Sequence, residues 1–118
     1  MGPTADGPPR RGEVWLVDLD PSRGHEQGGV RPALVVSDDR FNAGPAELVV
    51  VVPITSRDKG IASHVRLEPP EGGLRAPSFA KAEDVRSIST LRLRQRQGSV
   101  HTSTLRQVDE WLRVLLAL

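Results

Sequence analysis

Cysteine is absent from the 118 residues, which excludes a disulfide framework, a thiolate nucleophile and a cysteine-bound zinc site. Aromatic residues are almost as scarce. Two Phe, two Trp and no Tyr leave little from which to build a surface that reads nucleic acid by stacking its bases. No apolar run approaches the roughly 18 residues of a membrane span, and the first residues lack an apolar signal-peptide core, so a cytoplasmic protein without membrane contact is expected. Net charge is lacking too: the chain carries only +1, so any basic surface must come from local arrangement. His25, His64 and His101 are far apart and share no ligand spacing, so neither a metal nor another cofactor is expected.

What the chain has in quantity is glycine and proline, and these punctuate a series of short apolar runs. Residues 1–9, with Gly2, Pro3, Gly7, Pro8 and Pro9, read as a disordered tail, and residues 10–118 as one domain. Residues 13–19 are apolar at both alternating positions, as suits a strand covered on both sides, with Trp15 in the core. Residues 33–36 read as a second strand. Ser37-Asp38-Asp39 then caps a short helical turn whose Phe41 is expected to plug the core. Residues 48–52 carry the consecutive β-branched side chains of a buried central strand, and Pro53 is expected to limit it. In residues 64–67 alternation sets His64 and Arg66 on a wet face and Val65 and Leu67 on a dry one.

Farther on, residues 69–73 read as a mobile connection, residues 78–85 are ambiguous between helix and strand, and residues 87–93 should contain a short helix. Arg86, Arg92, Arg94, Arg96 and Arg106 follow one another without an intervening acid. Such a run serves against phosphates or as a solvated face. Thr104 and Gln107 match a capping box, and Leu105, Val108, Leu112, Leu115 and Leu116 recur at helical spacing, so a closing helix should lay its apolar face on the sheet. Short strands, hairpin-length turns and one capping helix argue for a β-rich domain.

Residues 22–32 stand apart, polar and glycine-rich between apolar runs, and end with Arg31 aimed by Pro32 at the entrance of a strand. Their company is Arg11-Gly12-Glu13-Val14-Trp15 upstream, Gly28-Gly29-Val30-Arg31-Pro32 within, Pro53-Ile54-Thr55-Ser56 downstream, then His64-Val65 and the segment from Glu83 to Arg86. The set resembles the MazF/PemK family of ribonuclease toxins from toxin–antitoxin pairs, over nearly everything from Arg11 onward. The resemblance implies a mainly β, SH3-like, partly open barrel of twisted antiparallel sheet with short helices and a C-terminal helix. It also implies a homodimer with a single-stranded RNA groove along the subunit boundary, and a cognate MazE-like antitoxin whose flexible acidic segment folds onto that groove. It makes 78–85 a strand.

Cleaving RNA without a metal requires the substrate's 2′-hydroxyl to attack the adjacent phosphorus, while the enzyme handles protons and stabilises the extra phosphate charge. Arg31 suits the phosphate because its planar fork binds two oxygens, and Thr55 offers a hydroxyl to the same group. Their counterparts in the resembled family are the catalytic pair. A guanidinium with a pKa above about 12 is a poor base at neutral pH, so Arg31 reads as a clamp and acid. His25 stands where relatives often have serine, and its imidazole is a candidate either for proton transfer or for a simple contact with RNA or solvent.

By the same resemblance Glu26, Gln27, Gly29, Ser56, Arg57, His64, Glu83, Asp84 and Arg86 are candidate RNA contacts. Glu83 is placed either against neighbouring backbone and arginine or, facing the groove, against Arg86. Asp84 replaces a frequent glutamine, and a carboxylate accepts hydrogen bonds where an amide also donates, so base preference there should differ. Two alternatives share the fold. A gyrase-poisoning toxin needs no Arg31–Thr55 pair, and a non-catalytic RNA-binding module would want more aromatics.

Overall fold

Apolar residues on both faces of consecutive strands decide the architecture, because each face needs its own cover. The computed structural model describes residues 7–19 and 29–118. Strand β1 (Glu13–Asp18) pairs antiparallel with β2 (Val30–Val35), which pairs with β3 (Leu48–Thr55). On one face Val14, Leu34, Val52 and Ile54 enter one core, and on the other Trp15, Val17, Ala33, Val35, Val49 and Val51 enter a second. The first is covered by β4 (His64–Leu67), β5 (Ser78–Lys81) and a long helix. Ile88 of β6 (Arg86–Ser89) and Leu93 of β7 (Leu93–Ser99) complete the second. The sheet runs β4-β5-β3-β2-β1-β7 with β6 beside β3, is not closed, and makes the mainly β, partly open barrel that was expected.

Pro53 does not end its strand. β6 pairs with residues 48–51 of β3 and β5 with Ile54 and Thr55, so Pro53 falls in the gap between them, where no ladder donor is required on that edge. Phe41 is exposed, contrary to expectation. Helix α1 (Asp39–Asn42) is a single turn capped by the Asp38 side chain, and its inward position is Asn42, whose amide donates to the Ser37 carbonyl at 3.1 Å. Residues 78–85 divide between β5 and a 3-10 turn, Ala82–Asp84.

The short helix expected within residues 87–93 is a single 3-10 turn at Thr90–Arg92, and the rest is strand, most of β6 and the start of β7. Arg94 of β7 pairs with Asp18 at 3.0 Å and Arg96 with Glu13 at 2.8 Å, so two of the five arginines of the basic run balance acids of β1. Glu13 also accepts from Trp15 Nε1 at 2.9 Å, which satisfies the one polar atom of an indole with no exposure. Residues 69–73 are packed against β7: Gly73 has φ +73°, and a Cβ there would lie 2.2 Å from the Gln97 carbonyl oxygen.

The closing helix α2 (Thr102–Leu116) begins before the expected capping box. His101 is its N-cap, Glu71 accepts the His101 backbone N–H at 2.9 Å, and Thr104 is a buried residue of the helix's first turn. Val108 is buried and Leu105, Trp111 and Leu112 pack on the first core, while Leu115 and Leu116 stay exposed. The Arg11 guanidinium fastens the helix by bonding both Asp109 and the Val36 carbonyl. No helix among the described residues is long and apolar enough to cross a membrane.

Candidate active site

Arg31 enters β2 and Thr55 leaves β3, so antiparallel pairing brings distant residues to one sheet end. The register sets Ala33 against Pro53, and Arg31, two residues before Ala33, and Thr55, two residues after Pro53, come to the same end of the sheet. Both line a cavity of about 370 Å³ with Ser56, Arg57 and Ser78. Arg31 is exposed, whereas Thr55 is 5% exposed. Thr55 Oγ1 accepts the Arg57 backbone N–H at 3.1 Å, which orients the hydroxyl and leaves its proton to donate elsewhere. Gly29 has φ +74°, and its carbonyl accepts the Leu19 N–H at 3.0 Å, joining the ends of the glycine-rich segment. His25, Glu26 and Gln27 lie outside the described residues.

Thr55 and Arg57 also line a second cleft, of about 590 Å³, with apolar walls from Leu19, Pro53 and Val85 and polar ones from Lys59, Lys81, Glu83, Asp84 and Arg86. Leu19 and Arg86 continue into a third cavity, of about 300 Å³, beside Ser87, Ser89 and Arg92. Among the described residues, six basic side chains and two acidic ones line this path, so a cationic groove exists in a chain of net charge +1. Lys59, Lys81 and Arg92 were not among the expected RNA contacts. Strand alternation, which puts Lys81 two places from Phe79 and opposite His64, was the signal for Lys81.

The expected contacts fall into groups. Ser56, Arg57, Asp84 and Arg86 are exposed on the groove, and Lys81 neutralises Asp84 at 3.1 Å. Among the described residues, no ion pair joins Glu83 to Arg86. Glu83 accepts from Ser63 Oγ at 2.6 Å and from His64 Nε2 at 2.6 Å. Burial pushes the Glu83 carboxyl up, but the Ser63 bond, its own backbone N–H and the His64 imidazole together hold it below the usual carboxylate range. His64 is not on a wet face: its side chain is 3% exposed, and what exposure the residue retains belongs to its backbone on the edge strand.

Comparison with known proteins agrees with this fold. Residues 10–116 match the family model described as PemK-like, MazF-like toxin of type II toxin-antitoxin system. Endoribonuclease MazF9 of Mycobacterium tuberculosis is 46% identical over 114 residues, covering 92% of this chain and 97% of the relative. A crystal structure of MazF from Deinococcus radiodurans superposes with a TM-score of 0.81 at 32% identity, covering 94% of this chain and 98% of the other. A MazE–MazF structure from the same organism gives 0.77 at 32% identity, covering 93% and 96%. The chain belongs to the PemK-like, MazF-like toxins of type II toxin–antitoxin systems.

Proposed function

We propose that this toxin is a sequence-specific endoribonuclease that cuts single-stranded RNA without a metal, leaving 2′,3′-cyclic phosphate and 5′-hydroxyl ends. The observation that carries this is the convergence of Arg31 and Thr55 on one cavity at the end of a cationic groove. The Arg31 fork holds two oxygens of the scissile phosphate and opposes the charge that develops when the 2′-hydroxyl attacks, and the Thr55 hydroxyl donates to the same group. Arg57, Lys59, Arg86 and Arg92 carry the flanking phosphates, while Ser56, Glu83 and Asp84 face base edges. Gly29, Glu26 and Gln27 belong to the segment that borders the cut, and His25 on it takes part in proton transfer.

The functional unit is residues 10–118, working in the cytoplasm as a homodimer whose groove follows the subunit boundary. A cognate antitoxin, like the MazE partner in the Deinococcus structure, covers the groove with a flexible acidic segment that offers carboxylates to its arginines.

Purified Arg31→Ala and Arg31→Lys proteins, compared with the native chain on mixed-sequence RNA in chelator, test the assignment. Cleavage should be lost in the alanine variant and only partly retained by lysine, which keeps the charge but not the fork. Full activity in folded Arg31→Ala protein would overturn it.

A further inference from the structure

The 3-10 turn at Ala82–Asp84 brings Glu83 to the 590 Å³ cleft, and residues of the β4 entrance hold its carboxylate from behind. Ser63 Oγ donates to Oε1 and His64 Nε2 donates to Oε2, each at 2.6 Å. The Ala82 N–H donates to the Ser63 carbonyl at 3.3 Å, so the donors and the acceptor are tied through one stretch of backbone. The imidazole is nearly sealed, with 3% of its side chain exposed against 31% for Glu83.

His64 is an expensive choice for that position. In the neutral ring, donation from Nε2 leaves a lone pair on Nδ1, and that atom is buried without a partner among the described residues. An apolar side chain would fill the same space with no orphaned polar atom. What histidine adds is the Nε2–H, and its whole effect falls on Glu83. Ser63, His64 and the Glu83 backbone N–H occupy three of the roughly four acceptor positions of the carboxylate, so acceptor capacity remains for the cleft that Glu83 lines. The Leu19, Pro53 and Val85 walls suit the flat apolar faces of a nucleobase, and Thr55 borders the same space.

We propose that Ser63 and His64 form a two-point clamp presenting Glu83 as a fixed acceptor for an N–H donor on the nucleobase beside the scissile phosphate. His64 is a positioning residue: it acts through Glu83 and does not touch RNA. The clamp rests on the endoribonuclease reading and adds a determinant of its sequence preference.

The test is steady-state cleavage of a fluorogenic RNA containing one site that the native protein cuts, with kcat and KM separated. His64→Ala should raise KM about tenfold, the scale of one hydrogen bond to a charged group, change kcat less, and weaken discrimination at one base next to the cut. His64→Gln, whose amide N–H can donate in the same direction, should restore much of the loss. The double variant His64→Ala/Glu83→Gln should be no worse than Glu83→Gln alone.

Additive losses in the double variant, or a lowered melting temperature with base discrimination intact, would overturn the clamp. Should His64→Ala fail to fold, Ser63→Ala removes the other donor and must show the same loss of discrimination, or the clamp is wrong. RNAs with a base analogue lacking the N–H donor or, for a neighbour 3′ to the cut, with 2′-deoxyribose there identify the group bound. The base analogue should erase the difference between native and His64→Ala proteins; erasure by the deoxyribose alone would overturn the base-edge assignment. Native protein that cuts no RNA would refute the endoribonuclease reading, whereas active native protein indifferent to His64→Ala refutes the clamp alone.

Discussion

Thr55→Val separates catalysis from folding at the centre of the site. Valine nearly matches threonine in shape, so the 5%-exposed position stays filled while Oγ1 is lost. In the folded protein that oxygen accepts the Arg57 backbone N–H at 3.1 Å. Arg57 is exposed, so water can replace the lost acceptor, and the cost should stay near the ordinary net value of about 0.5–1.5 kcal/mol. Domains of this kind hold about 5–15 kcal/mol in reserve, so the variant remains folded, with a melting temperature only a few degrees lower.

Catalysis should respond on another scale. A preorganised donor to a developing oxyanion is worth about 10²–10³ in rate, far beyond what so small a change in folded population can produce. The assay is kcat/KM on a single-site RNA in chelator, with thermal melting of the same preparations. Thr55→Ser, which keeps the hydroxyl, should recover most of the rate. Thr55→Val cutting within about threefold of native protein would refute the assignment of the hydroxyl to the transition state.

Glu83→Gln should flatten the acid limb of stability. The folded carboxyl is held below its ordinary value, so its stabilisation is present above the unfolded value and lost as pH falls through the folded one; glutamine has no such loss, and unchanged acid melting curves would contradict this. An acidic antitoxin peptide should compete with RNA for the groove and bind more weakly as salt is added; a complex holding both, with undiminished cleavage, would contradict that.

The parts of the fold legible in the sequence were those whose pattern has a single physical reading. Residues 48–52 are too β-branched for anything but a buried strand, and the spacing of Leu105, Val108 and Leu112 fits only a helix. Strand β7 was missed because its polar alternation resembles a solvated segment. Yet Arg92, Arg94 and Arg96 repeat every second residue, the period of a strand, and two of them meet acids of β1. Phe41 misled because a one-turn helix has too little buried face for its largest apolar residue, and Asn42 satisfies its own polar groups there.

At the site, Arg31 is marked by its loop-and-strand context and Thr55 by the family resemblance, but no local pattern reveals that the pairing of β2 with β3 brings them to one cavity. His64 was legible as a functional position and illegible as a buried one. Alternation fixes which face of the sheet it takes, while the 3-10 turn that folds Glu83 over it depends on contacts nineteen residues apart.

The most direct test of the central claim is the chemistry of the cut ends. Native protein is incubated in chelator with a defined single-stranded RNA and with the same RNA carrying 2′-deoxyribose at the nucleotide 5′ to the cut. The fragments should end in 2′,3′-cyclic phosphate and begin with 5′-hydroxyl, and the deoxy substrate should remain whole. Cleavage of the deoxy substrate, or 5′-phosphate ends that appear only when metal is restored, would contradict attack by the 2′-hydroxyl at Arg31 and Thr55.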